Sequence, residues 1–210
     1  MRLGLYGGSF DPVHAGHLSL AETARQQLQL DALWWIPAGR PWQKGRQWLS
    51  PQHRLALLEA VLEGRPGHRI ERCELDRSAQ SDRPSYSIDT VTELAARLGP
   101  DWQPDQVWLV IGQDQLARLP SWHRWHELLE RVGLAVAGRD GQAPQAPPEV
   151  EQTLIRLGRP LVPLEMPPCA ASSTELRRLL QSGAAADELL KAGLLPAALG
   201  YIERHRLTDY

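Results

Sequence analysis

The chain has 210 residues, with 23 Lys plus Arg against 25 Asp plus Glu and a formal net charge of −2, so it carries no overall positive field for a nucleic-acid polymer and suits a small anionic ligand held by local charge. Cys73 and Cys169 are too few for a disulfide framework, no apolar run is long enough to span a bilayer, and the N-terminus has no signal-peptide pattern. The expectation is a cytoplasmic protein of one domain, residues 1–210, without a membrane partner; its oligomeric state is open.

The apolar run Leu3-Gly4-Leu5-Tyr6 predicts a strand, followed by Gly7-Gly8-Ser9-Phe10-Asp11-Pro12-Val13-His14-Ala15-Gly16-His17. Two glycines permit a sharp turn and close approach of a ligand to the main chain. Leu20, Ala21, Ala24 and Leu28 then recur at helical spacing. Strand, glycine turn and helix start together make an anion site, because the first N–H groups of a helix have no partner within it. Ala32–Pro37 is a continuous apolar run, as in a buried parallel strand. Residues 38–50 form a loop rich in cations and indole, suited to cover phosphates, with Lys44 and Arg46 in reach of charge.

Ser50-Pro51 predicts an N-cap and first helical residue for a helix through Glu63. His68–Glu71 reads as a short strand, and 73–84 has no strong period. Ser87 reads as an N-cap, with Asp89 in the first turn of a helix running to about Leu98. Gln106–Ile111 is the clearest buried strand, and it stops at Gly112-Gln113-Asp114, where open α/β sheets bind ligands. A helix is expected from Leu119–His123 onward, with Trp125, Leu128 and Leu129 inward and Trp122 at its start. Gly133–Ala137 is a further strand, 138–148 a Gly/Gln/Pro loop, and Leu161–Leu164 a last strand whose proline suggests an edge. Ser172 and Glu175 have capping-box spacing, so a second helix N-terminus, carrying Ser173 and Arg177, makes another anion site. The tail from 184 is helical, broken at Pro196.

His14 and His17 lie three apart and share one face of the first helical turn. A helix end alone is worth about 0.3–2 kcal/mol toward an anion, too little for a triphosphate. Two imidazoles can supply the further donors, more strongly when protonated. Two other readings of the pair are a packed helix start and a shared zinc ion, although the chain has no HExxH pattern and both cysteines are remote.

The run from Gly8 to His17 resembles the signature of the nucleotidyltransferase superfamily with the His-x-Gly-His motif. Together with Ser85-Tyr86-Ser87-Ile88-Asp89-Thr90, Ile111-Gly112-Gln113-Asp114, Trp122 and Ser172-Ser173-Thr174-Glu175-Leu176-Arg177, it is similar to the bacterial nicotinate mononucleotide adenylyltransferases over most of the chain. The resemblance implies an α/β, Rossmann-like, doubly wound parallel sheet with a small helical C-terminal part at about 172–210. It implies adenylyl transfer from ATP to nicotinate mononucleotide, giving deamido-NAD and pyrophosphate, with Mg²⁺ held by the ATP phosphates and no protein metal ligand. By the same resemblance His14, His17 and Arg177 are the catalytic groups. Gly7, Gly8, Ser9, Phe10, Lys44, Asp114, Ser172 and Ser173 bind ATP and phosphate, and Ser87, Trp122 and His123 bind the mononucleotide.

Gly39, Trp42-Gln43, Ser87 and His123 depart from the commonest family pattern, which leaves the choice between nicotinate and nicotinamide mononucleotide open. The other readings are a sister transferase acting on phosphopantetheine and a nucleotide-binding protein without catalysis.

Overall fold

The computed structural model describes residues 1–40, 47–139 and 141–207. Six parallel strands form one sheet: β1 (Leu3–Gly8), β2 (Ala32–Pro37), β3 (His68–Ile70), β4 (Val107–Gly112), β5 (Gly133–Ala137) and β6 (Val162–Leu164). Their spatial order is β3-β2-β1-β4-β5-β6. Leu3 stands opposite Ala32 on one side and Val107 on the other, so β1 is central and the winding reverses between β1 and β4.

The helices are α1 (Ala15–Gln27), α2 (Pro51–Leu62), α3 (Cys73–Gln80), α4 (Ser87–Leu98), α5 (Gln113–Arg118), α6 (Trp125–Arg131), α7 (Pro148–Arg156), α8 (Ser173–Gln181), α9 (Ala186–Lys191) and α10 (Pro196–Arg204). A parallel sheet is covered on both faces, so its strands must be apolar at successive positions. In β2 this divides the side chains by parity. Leu33 and Trp35 join the core formed with α1, α2 and α8–α10, whereas Trp34 and Ile36 join the core formed with α4–α7. Each fully buried leucine of these layers, such as Leu57 or Leu94, stabilises the fold by roughly 1.5–3 kcal/mol. The result is the doubly wound, Rossmann-like arrangement that the resemblance implied.

Several local expectations need correction. The stretch without a clear period holds α3. Tyr86, not Ser87, is the N-cap of α4: its backbone is extended and its carbonyl accepts from the N–H groups of Asp89 and Thr90, so Ser87 is already inside the helix. The helix expected from Leu119 is divided. α5 follows β4 directly, Leu119–Ser121 is a 3₁₀ turn, and α6 starts at Trp125 after Arg124 in a left-handed conformation (φ 51°). Pro120 has no N–H to continue α5, which accounts for the end of that helix. Ser50 caps α2 as expected, accepting from the His53 N–H at 3.2 Å. β6 is the edge strand, as its proline suggested.

Candidate active site

Where the winding reverses, the carboxyl ends of β1 and β4 open into a cleft of about 1310 Å³. The turn after β1, the start of α1, the end of β4 and the start of α8 all line it. Gly7, one residue before the end of β1, and Gly112, at the end of β4, lie on the two adjoining strands, and a Cβ at either would meet no atom within 4 Å. A ligand can therefore lie against the main chain of both strands.

His14 is the N-cap of α1 and His17 its third residue; the rings lie 3.7 Å apart, inclined by 32°. The His14 N–H donates to Nδ1 of His17 at 3.2 Å. An imidazole that accepts at Nδ1 carries its proton on Nε2, so neutral His17 is an Nε2–H donor. Phe10 meets the His17 ring edge-on at 5.2 Å and packs against Tyr6 and Trp35. Trp35 donates its indole N–H to His68 Nδ1 at 3.0 Å, and His68 Nε2 lies 3.2 Å from Glu22. The paired imidazoles thus rest on an aromatic bed that is itself hydrogen-bonded. A Cβ on Gly16 would stand 3.1 Å from the His14 ring, so glycine makes room for that ring.

The second anion site adjoins the first. Ser172 caps α8 by accepting from the Glu175 N–H at 3.2 Å, while the Glu175 carboxylate pairs with Arg178 instead of returning to the cap. The Ser173 hydroxyl donates to the Pro12 carbonyl at 3.0 Å. Arg177 donates from Nη1 to the Asp11 carbonyl at 2.8 Å and from Nη2 to the Thr174 hydroxyl at 3.2 Å. Helix α8 therefore holds the glycine turn from the far side, across more than 160 residues of chain.

Gly7, Gly8, Ser9, Phe10, His14, His17, Asp114, Ser172, Ser173 and Arg177 meet in one cleft, with Ser87 and Trp122 in its lining. His123 is not among the lining residues; it is exposed and stacks on Tyr86 with ring centroids 4.4 Å apart. Asp114 is exposed and pairs with Arg139 at 3.3 Å. Lys44, with Arg46 and Trp42-Gln43, lies outside the described residues. Gly39 packs directly against the Glu74 carbonyl and Ser78, and a Cβ there would stand 2.2 Å from that carbonyl oxygen. Among the described residues, no three His, Cys, Asp or Glu side chains converge as a metal site, and no helix is long and apolar enough to cross a membrane.

Sequence reasoning missed three buried groups at the cleft: Asp11 and Glu74, which line it, and Arg54, which does not. Burial pushes the Glu74 carboxyl above the usual carboxylate range, against the hydrogen bond from Thr90 and the charge of Arg77. Asp11 lay inside the recognised motif and could have been marked by its place there. Nothing local distinguishes buried Arg54 or Glu74 from surface charges on a helix. Cys169 lines the cleft mouth, whereas Cys73 is buried, its thiol pushed up to about 12 by burial.

A cytidylyltransferase-like family model matches residues 5–179. A probable nicotinate-nucleotide adenylyltransferase of Methylibium petroleiphilum is 47% identical over 98% of this chain and 92% of its own. The protein of the same description from Bordetella petrii is 41% identical over 98% of both chains, and that of Pseudomonas aeruginosa 36% identical over 98% and 96%. In fold, the chain is similar to Plasmodium falciparum nicotinic acid mononucleotide adenylyltransferase complexed with NaAD, with a TM-score of 0.73 at 17% identity, covering 99% of this chain and 97% of that one. On these matches the chain belongs to the cytidylyltransferase-like proteins and, within them, to the nicotinate-nucleotide adenylyltransferase family.

Proposed function

We propose that the protein transfers the adenylyl group of ATP to nicotinate mononucleotide, forming deamido-NAD and pyrophosphate. The observation that carries this reading is the paired His14 and His17 at the start of α1, facing the same cleft as the α8 N-terminus and Trp122. In the reaction an oxygen of the mononucleotide phosphate forms a bond to the α-phosphorus of ATP in line, and the bond from that phosphorus to the bridging oxygen of the leaving pyrophosphate breaks. A phosphate monoester is already anionic near neutral pH, its second pKa being about 6, so the attack needs no general base and no covalent enzyme intermediate. The protein's part is alignment, worth about 7–11 kcal/mol in favourable cases, and donors placed where charge gathers.

In this reading His17, through Nε2–H, and His14 hold the triphosphate. The turn from Gly7 to Phe10 receives phosphate along its backbone, and Arg177, Ser172 and Ser173 support the opposite side, with Lys44 as a further cation and Asp114 at the nucleotide. Trp122 stacks on the pyridine ring, with Ser87 beside it and His123 at the margin. Mg²⁺ enters with ATP, bound to its phosphates. Support for this placement is that both carboxylate oxygens of Asp11, nearest the turn, already accept from the N–H groups of Trp48 and Leu49 at 2.8 and 2.9 Å.

The test is pyrophosphate release from ATP with nicotinate mononucleotide, nicotinamide mononucleotide or phosphopantetheine as acceptor. Turnover highest with nicotinate mononucleotide is expected. No turnover with any acceptor, or preference for phosphopantetheine, overturns the reading.

A further inference from the structure

β1 and β2 run side by side until the Ala38 N–H donates to the Gly8 carbonyl at 2.8 Å. Beyond that bond the chains part, β1 into the turn at Ser9–Asp11 and β2 toward Gly39. The next two carbonyls, of Ser9 and Ala38, are beyond the ladder, and buried acceptors without partners lose their water uncompensated. Arg54, in the first turn of α2, meets both. It donates from Nη1 to the Ser9 carbonyl at 2.9 Å and from Nη2 to the Ala38 carbonyl at 2.7 Å.

This guanidinium is 0% exposed, and two buried carboxylates share its surroundings. Desolvation by burial lowers the Arg54 pKa, and the charges of Asp11 and Glu74 oppose that effect. Each carboxylate also fastens part of the cleft. Asp11 receives the N–H groups of Trp48 and Leu49, and its own carbonyl is held by Arg177 of α8. Glu74 of α3 accepts from Thr90 of α4 at 2.9 Å. Buried ionic groups are often no better for stability than apolar side chains of similar volume. What Arg54 supplies that an apolar residue cannot is a rigid planar fork whose two donors fix the separation of two acceptors.

We infer that Arg54 is a positioning residue for adenylyl transfer: its buried guanidinium sets the distance between the phosphate-binding turn at Ser9–Asp11 and the facing wall at Ala38–Gly39, and so aligns the two substrates held there. It touches neither substrate. The inference rests on the adenylyltransferase reading above.

Arg54→Lys keeps the charge and loses the fork. Three quantities decide: kcat per folded molecule, and the dissociation constants of a non-hydrolysable ATP analogue and of nicotinate mononucleotide, each measured alone. We expect kcat to fall about 100-fold, the size of a 1 Å misplacement, with both dissociation constants nearly unchanged. A merely structural role would lower thermal stability and leave kcat per folded molecule intact; that result, or a loss confined to the dissociation constants, overturns the inference. If Arg54→Lys does not fold, Arg54→Gln keeps a planar donor group without the charge or the paired fork, and the same split between kcat and binding decides. A wild-type protein without adenylyl transfer would refute the functional reading instead, so the two failures are distinguishable.

Discussion

The two ends of the cleft are built differently. At the end by the glycine turn, side chains are tied to other parts of the chain: the His14 N–H donates to His17, Ser173 and Arg177 donate to the carbonyls of Pro12 and Asp11, and Arg54 donates to those of Ser9 and Ala38, its buried Nε lacking an acceptor among the described residues. At the end by Trp122, which packs on the α4–α7 core, the indole N–H has no acceptor among the described residues. A buried donor left unpaired costs about 1–3 kcal/mol. The glycine turn and the two helix starts are thus tied together across the chain, as preorganised donors require, while the indole of Trp122 keeps an unmet donor that a bound ligand or a small shift of the ring can satisfy.

The contrast is broken most severely at His17. His17→Ala is expected to lower kcat by about 100- to 1000-fold, the cost of one aligned donor, with near-ultraviolet circular dichroism unchanged. A folded variant with wild-type turnover would remove His17 from the mechanism.

At the other end the loss falls on binding. Trp122→Ala is expected to weaken nicotinate mononucleotide by about 1–3 kcal/mol, the worth of one stacked ring, and to leave the ATP analogue unaffected in calorimetry. Equal weakening of both ligands would show that the ends are not independent.

The smallest effect lies in the support beneath the imidazoles. Burial holds the His68 imidazole below its ordinary value of 6.5, the nearby Glu22 carboxylate opposing; the charges of Arg25 and Arg65 act with burial. The unfolded chain thus binds more protons than the folded one in the window just below pH 6.5, so stability falls as pH drops through it. His68→Gln is expected to cost about 1 kcal/mol at neutral pH, one buried hydrogen bond, and to make the acid decline of the melting temperature shallower. An unchanged slope would show that His68 does not carry the acid sensitivity.

Legibility followed the same division. Apolar runs marked the inner strands β1, β2, β4 and β5, since a sheet buried on both faces leaves little choice of residue there, whereas the edge strand β3 is His68-Arg69-Ile70; Ser50-Pro51 and Ser172 marked their helix starts by local capping chemistry. The Ser87 cap failed because Tyr86 already takes the extended backbone that an N-cap needs, whatever its side chain. α3 escaped notice because its polar residues, Glu74 among them, turn inward to partners on α4 and the β2 loop, which no periodicity reports. His123 matched a motif position, but its exposed ring lies on Tyr86.

The sequence by itself determined the alternating strand-and-helix order, the glycine turn with its two histidines and the second capped helix at Ser172, because each depends on backbone rules acting within a few residues. It took the folded chain to show that α8 reaches back to hold the first turn, that Arg54 and Asp11 are buried, and which side chains face the cleft. Those outcomes depend on desolvation and on partners distant along the chain, and neither is written in any single stretch of it.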